Sequence, residues 1–124
     1  MNEPVFKYDE LSDTMYISFA EGEVGTGIEL NEHILLRVSE AERRAVGLTL
    51  FDYSVLAQPT EIGLRSLPLN GLEKLPDEIR EMIIGILHSS PVCEVLSLSA
   101  YTPSTIETIP ITSLRHSILE RKAA

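Results

Sequence analysis

A chain of 124 residues with 44% hydrophobic and 23% charged residues has the size and composition of one soluble domain with a core, which excludes wholesale disorder. The formal net charge of −9 is uneven: residues 1–62 carry twelve acidic side chains against four Lys/Arg, residues 63–124 seven against six. Such a surface repels phosphates, so no direct nucleic-acid binding is expected; a basic protein partner is compatible with it, and so is simple solubility.

No apolar run is long enough to cross a bilayer, and Met1-Asn2-Glu3-Pro4 lacks the basic and apolar regions of a secretion signal. The one cysteine, Cys93, has no partner for an internal disulfide. Together these features predict a cytoplasmic protein without membrane contact.

Five strands are expected in the first half. Val5 to Tyr8 forms the first, and Thr14 to Phe19 the second, with Met15, Ile17 and Phe19 on one face. A polar loop, Asp9 to Asp13, joins them. After Glu21-Gly22-Glu23, where Gly22 and Gly25 are free to take positive φ, Gly27 to Leu30 and His33 to Ser39 read as strands three and four around an Asn31-Glu32 turn. Ile34, Leu36 and Val38 share a face, while Leu35 lies opposite and leaves that second face partly apolar. Strand five has Val46, Leu48 and Leu50 as its buried row, and Gly47 permits a close approach on the other side.

Asp52 to Leu56 reads as a short helical turn capped by Asp52. Residues 58–75, broken by Pro59, Pro68 and Gly71, read as a packed connection with some strand or turn. The clearest helix follows Pro76, which suits a first helical position: Ile79, Met82, Ile83, Ile86 and Leu87 make one apolar stripe, and Ser89-Ser90-Pro91 ends it. Val92 to Ala100 and Ile106 to Ile111 form a hairpin around Thr102-Pro103-Ser104, with Pro110 at a strand end or an edge. A last helix is expected from near Ser113, with Leu114, Ile118 and Leu119 on its apolar side. The predicted fold is α+β over one domain, residues 1–124: an antiparallel meander of about five strands packed against a helix, then a hairpin and a short helix.

The string Tyr8-Asp9-Glu10-Leu11-Ser12-Asp13-Thr14-Met15-Tyr16-Ile17, with Val46-Gly47-Leu48-Thr49-Leu50-Phe51-Asp52 downstream, resembles the domain of unknown function 2283 family over about residues 5–55. That family pattern has Ala-Leu where Thr14-Met15 stands, Glu where Thr49 stands, and Asp-Ala-Ser where Asp52-Tyr53-Ser54 stands. The resemblance implies a fold rather than a mechanism. Some small members look like neighbours of toxin-like proteins, which implies an antitoxin-like or interaction role.

Candidate chemistry is sparse. Asp9, Glu10 and Asp13 could ligate a hard cation, but the loop has neither the spacing nor the glycine of a calcium site; alternatively Asp9 and Asp13 hold the loop closed through backbone amides. His33, His88 and His116 are scattered, and Cys93 has no cysteine partner for zinc. Cys93 and His88 flank one turn and could form a nucleophilic pair, or Cys93 is a small core residue. Gly22, Gly25 and Gly27 lack the lysine of a phosphate loop. Tyr8, Tyr16 and Phe51 line a groove or are cross-strand aromatic partners. No cofactor or catalytic residue is assigned. The expectation is an interaction or regulatory module, with a small-ligand protein or enzyme using Asp9–Asp13 or a cleft near Cys93 as the alternative. Surplus apolar surface predicts a homodimer through sheet or helix faces.

Overall fold

Alternation in the N-terminal half builds a half-covered sheet. In the computed structural model, which describes residues 4–104 and 106–115, five antiparallel strands appear: β1 (Val5–Asp9), β2 (Thr14–Ser18), β3 (Thr26–Asn31), β4 (Ile34–Ser39) and β5 (Arg44–Phe51). Their order is β1-β2-β5-β4-β3, so the sheet is the expected one but the strands do not follow in sequence. Phe19 and Ala20 both donate to the Val46 carbonyl, at 2.9 and 3.3 Å, which carries the chain off β2 past the end of β5. β3 therefore becomes the far edge, and β5 closes the gap beside β2.

Two local readings shift by one residue. The β3–β4 turn is Glu32-His33, not Asn31-Glu32. Asn31 works through its carboxamide: Oδ1 accepts from the amides of His33 and Ile34 at 2.8 and 2.9 Å, and Nδ2 donates to the Pro68 carbonyl at 2.9 Å. A bulge also breaks the β4–β5 register, pairing Arg37 with Gly47 but Val38 with Ala45. The inward row of β5 is consequently Ala45, Leu48 and Leu50; Val46 is buried yet lies outside the core cluster. Gly22 takes positive φ as expected (81°), whereas Gly25 does not; an added Cβ there would lie 2.8 Å from the Val38 carbonyl oxygen.

The inner face of the sheet packs on helices. α1 (Tyr53–Leu56) and α2 (Asp77–Leu87) contribute Tyr53, Leu56, Met82, Ile83, Ile86 and Leu87 to the cluster containing Met15, Ile17, Leu36, Leu48 and Leu50. The apolar stripe of α2 thus faces the core, and each such buried side chain stabilises by roughly 1.5–3 kcal/mol. Pro76 sits at the N-cap, one position before the helix.

Residues 58–75 are indeed packed: β6 (Pro59–Thr60) pairs β7 (Gly63–Leu64), β8 (Leu67–Pro68) follows, and a 3-10 helix spans Asn70–Lys74. Arg80 ties this segment to α2 by donating to the carbonyls of Leu72 at 2.9 Å and Leu75 at 2.8 Å. The 3-10 helix lies on β3 so closely that a Cβ on Gly71 would be 2.0 Å from the Glu29 carbonyl oxygen.

The C-terminal hairpin departs from expectation in three ways. Val92–Glu94 is a 3-10 turn, so β9 (Leu96–Ser104) starts later and runs through the Thr102-Pro103-Ser104 stretch. β10 (Glu107–Leu114) continues past Pro110 and is the central strand of a second sheet, β8-β10-β9. The Pro110 carbonyl accepts from Leu69, on the β8 side. Within a strand the N–H and C=O of one residue point the same way, so the missing donor is lost there and the ladder to β9 survives. Ser113 and Leu114 are strand rather than helix; Ile118, Leu119 and His116 lie outside the described residues. Among the described residues no helix is long and apolar enough to cross a membrane.

Replacing Gly71 by Ala forces either the 3-10 helix or the β3 edge to move. The expected loss is at least about 2 kcal/mol in urea unfolding, whereas the same change at Gly85, which meets nothing within 4 Å, is neutral or stabilising.

Candidate functional site

The acidic loop folds around its own carboxylates. Asp9 accepts from the Leu11 amide at 3.2 Å and the Ser12 hydroxyl at 2.8 Å, which closes the loop locally. Asp13 does something else. With φ of 52° it turns its carboxylate across the sheet end, where Oδ1 accepts from the Tyr8 hydroxyl at 2.6 Å and the Ser54 amide at 3.0 Å. Oδ2 accepts from the Ser54 hydroxyl at 2.6 Å, and the Asp13 carbonyl accepts from the Tyr53 amide at 2.9 Å. Asp13 therefore caps α1 from 41 residues away. Asp52 occupies the N-cap position in the left-handed region (φ 56°) without a side-chain capping bond, contrary to expectation.

This arrangement explains the aromatic pair above it. The Tyr8 and Tyr53 rings meet at 5.6 Å between centroids, tilted 57°. The Asp13 hydrogen bond, then burial and the Asp13 charge, push the Tyr8 hydroxyl up to about 12; burial raises Tyr53. Close by, His33 Nδ1 lies 3.1 Å from Asp52 Oδ2 at the rim of the turn.

The remaining candidates are not brought together. Glu10 is exposed, and among the described residues no three His, Cys, Asp or Glu side chains are grouped as a metal ion would require. Cys93 sits on the 3-10 turn, not within a strand; its amide donates to the Ser89 carbonyl, and its carbonyl accepts from Arg115 at 2.6 Å. His88 lines an apolar groove of about 430 Å³ with Ile84, Leu98 and Pro110, a groove that Cys93 does not line. Tyr8 faces inward while Tyr16 and Phe51 face outward. The last two are not direct cross-strand partners, since Tyr16 lies between Lys7 and Thr49 and Phe51 lies beside Thr14.

What the structure assembles instead is the outer face of the five-stranded sheet. One hydrogen-bonded row reads Lys7–Tyr16–Thr49–Leu35–Glu29, and the next Val5–Ser18–Gly47–Arg37–Gly27. Val5, Tyr16 and Phe51 are 44%, 40% and 39% exposed on this face, and Leu35 is half-buried. Thr49 is 2% exposed at the centre, its hydroxyl without a hydrogen-bond partner among the described residues. Gly47, whose missing Cβ would lie 2.9 Å from the Ile17 carbonyl oxygen, lines a cleft of about 290 Å³ with Lys7, Tyr16, Ser18, Glu21 and Arg37. The sequence signal for this face was the second alternating register, with Leu35 its clearest mark. The Lys7-to-Glu29 row required the strand order.

Fold and site together define an α+β protein whose N-terminal sheet is fastened at one end by an Asp–Tyr–Ser tie and, among the described residues, left uncovered on its outer side. Residues 6–54 match the family model described as "Protein of unknown function (DUF2283)", a span that ends at Ser54, the residue clasped by Asp13. No curated protein and no solved structure matches the chain.

Asp13→Ala leaves the Ser54 amide and two hydroxyls without their acceptor, and the expected cost is about 2 kcal/mol in thermal or urea unfolding. Calorimetric titration with magnesium or calcium is expected to give the same heats on both proteins. Because Tyr8 holds its proton in the folded state above the ordinary value of 10.0, its contribution to stability is complete below pH 10 and lost as pH rises through about 12. A tyrosinate absorbance titration should show a step near pH 12 that is missing in Tyr8→Phe. Thr49→Val removes a buried orphan hydroxyl at constant shape and is expected to raise stability by about 1 kcal/mol, read from the denaturant midpoint.

Proposed function

We propose that the protein is a non-enzymatic interaction module that presents the outer face of its five-stranded sheet to another protein. The observation that carries this reading is the gathering of Val5, Tyr16, Leu35 and Phe51 on one side of a sheet whose other side already packs on the core. Aromatic and aliphatic side chains on a rigid face, bordered by Lys7, Arg37, Asp9 and Glu29, have the make-up of a docking surface. The antitoxin-like role implied by the resemblance would be one form of such a module. The enzymatic or ligand-binding alternative has less behind it. The carboxylates of Asp9 and Asp13 accept hydrogen bonds from their own chain, and Cys93 does not line the groove that His88 lines.

Tyr16→Lys with Phe51→Lys tests the proposal, since both side chains point away from the core and the fold should survive by circular dichroism. In affinity capture from the native cell with mass spectrometry, a protein retained by the wild type is expected to be lost by the double variant. Equal retention by both would remove the sheet face from the account. A retained metabolite or metal with no protein would favour the alternative.

A further inference from the structure

We infer that the occupant of the outer face is a second copy of this chain, packed face to face about a two-fold axis that runs parallel to β5 through Thr49; this rests on the reading of that face as a docking surface. Charge is the first argument. The chain carries −9, yet the outward-pointing strand residues that are charged, Lys7, Arg37 and Arg44 against Asp9 and Glu29, nearly cancel, and Arg44 is itself paired with Glu23 and Glu42. A neutral face is where two strongly acidic copies can meet with least repulsion.

Lys7 lies on β1, one edge of the sheet, and Glu29 on β3, the other edge, in one cross-strand row centred on Thr49. Four strand spacings put them about 19 Å apart, too far to pair within one chain. A two-fold parallel to the strands reverses this row upon itself. Lys7 then faces Glu29 of the other copy at both ends, and Tyr16 faces Leu35. In the next row Val5 meets Gly27, and Arg37 meets Ser18, so large residues oppose small ones. Phe51, on the same strand as Thr49, meets its own image. A two-fold perpendicular to the strands would set Lys7 against Lys7 and Glu29 against Glu29. Aligned sheets cross at about 30°, an offset within the reach of lysine and glutamate side chains.

The area sets the strength. Five strands by about 17 Å give roughly 400 Å² per copy, about half the standard interface, so a weak, reversible dimer is expected. The experiment is sedimentation velocity from about 1 to 500 μM at low and high salt. Its subjects are the wild type, Lys7→Glu, Glu29→Lys, the double reversal, and an equimolar mixture of the two single variants. Both positions are exposed and clear of the core, and a melting curve on each variant checks that it folds. Each single reversal is expected to weaken dimerisation about tenfold or more, while the double variant and the mixture recover wild-type association. A dimer unaffected by either single reversal would overturn the packing while leaving the docking face intact. A wild type that stays monomeric throughout would overturn self-association, and the capture experiment with Tyr16→Lys and Phe51→Lys would then decide separately whether the face serves another protein.

Discussion

One carboxylate holds together segments that are distant in the chain. Asp13 ends the first loop, and Tyr53-Ser54 begins the turn of helix that leaves β5; the amide and hydroxyl of Ser54 and the hydroxyl of Tyr8 converge on it. Charge-assisted bonds of this kind are stronger than neutral ones, and their loss strands several donors at once. The tie also sets the exit of β5. Asp52 adopts φ of 56° and α1 turns directly over the inner face, where Tyr53 and Leu56 are 0% and 2% exposed. Without that turn the sheet would lose part of its cover and the chain its route to the second half.

Among the described residues the cover is one-sided because those of the back half are used in making it. α2 supplies four buried side chains, the 3-10 helix at Asn70–Lys74 brings Gly71 against β3, and the second sheet contributes Leu96 and Leu114. Each reaches the same inner face. The β3 edge is blocked by the backbone of the 3-10 helix and by Asn31 bonded to Pro68, so it cannot easily accept another strand. Among the described residues the outer face is thus left uncovered.

Strand existence was legible because alternation is a local signal, and Ile34, Leu36 and Val38 sit where it places them. The helix was legible for the same reason, from Ile79 through Leu87. Strand order was not, since nothing between Phe19 and Gly25 states which neighbour β3 will have. The bulge that moves the inward row from Val46 to Ala45 is likewise a tertiary outcome, because it depends on where β4 meets β5. Pro110 misled because edge placement is the usual reason a strand tolerates proline. Here the lost donor points past the end of the two-residue β8, and a central strand tolerates it. At the site, Asp9 was read correctly as a loop-closing residue. The reach of Asp13 to Ser54 was not, since a bond spanning 41 residues leaves no local trace.

The acidity of the first half bears on the bare face in a way composition alone conceals. Twelve acidic residues fall in residues 1–62, the span that builds the sheet, so chance would put several on the outer face. Asp9 and Glu29 do lie there, on the two edge strands, while other exposed acids such as Glu10, Glu32, Glu40 and Glu42 lie in turns, and the centre of the outer face is Gly47, Thr49 and Leu35. An ionised side chain at that centre would stand against its own image across any two-fold through it, in the position where like charges cost most. Thr49 carries no charge and is already covered by its neighbours, at the expense of an unpaired hydroxyl. The electrostatic opposition to such an association is then the diffuse repulsion of the loops, which salt screens within about 10 Å at 0.1 M. In the proposed dimer, Lys7 and Glu29 at opposite edges and the opposition of Tyr16 to Leu35 both favour the two-fold parallel to the strands.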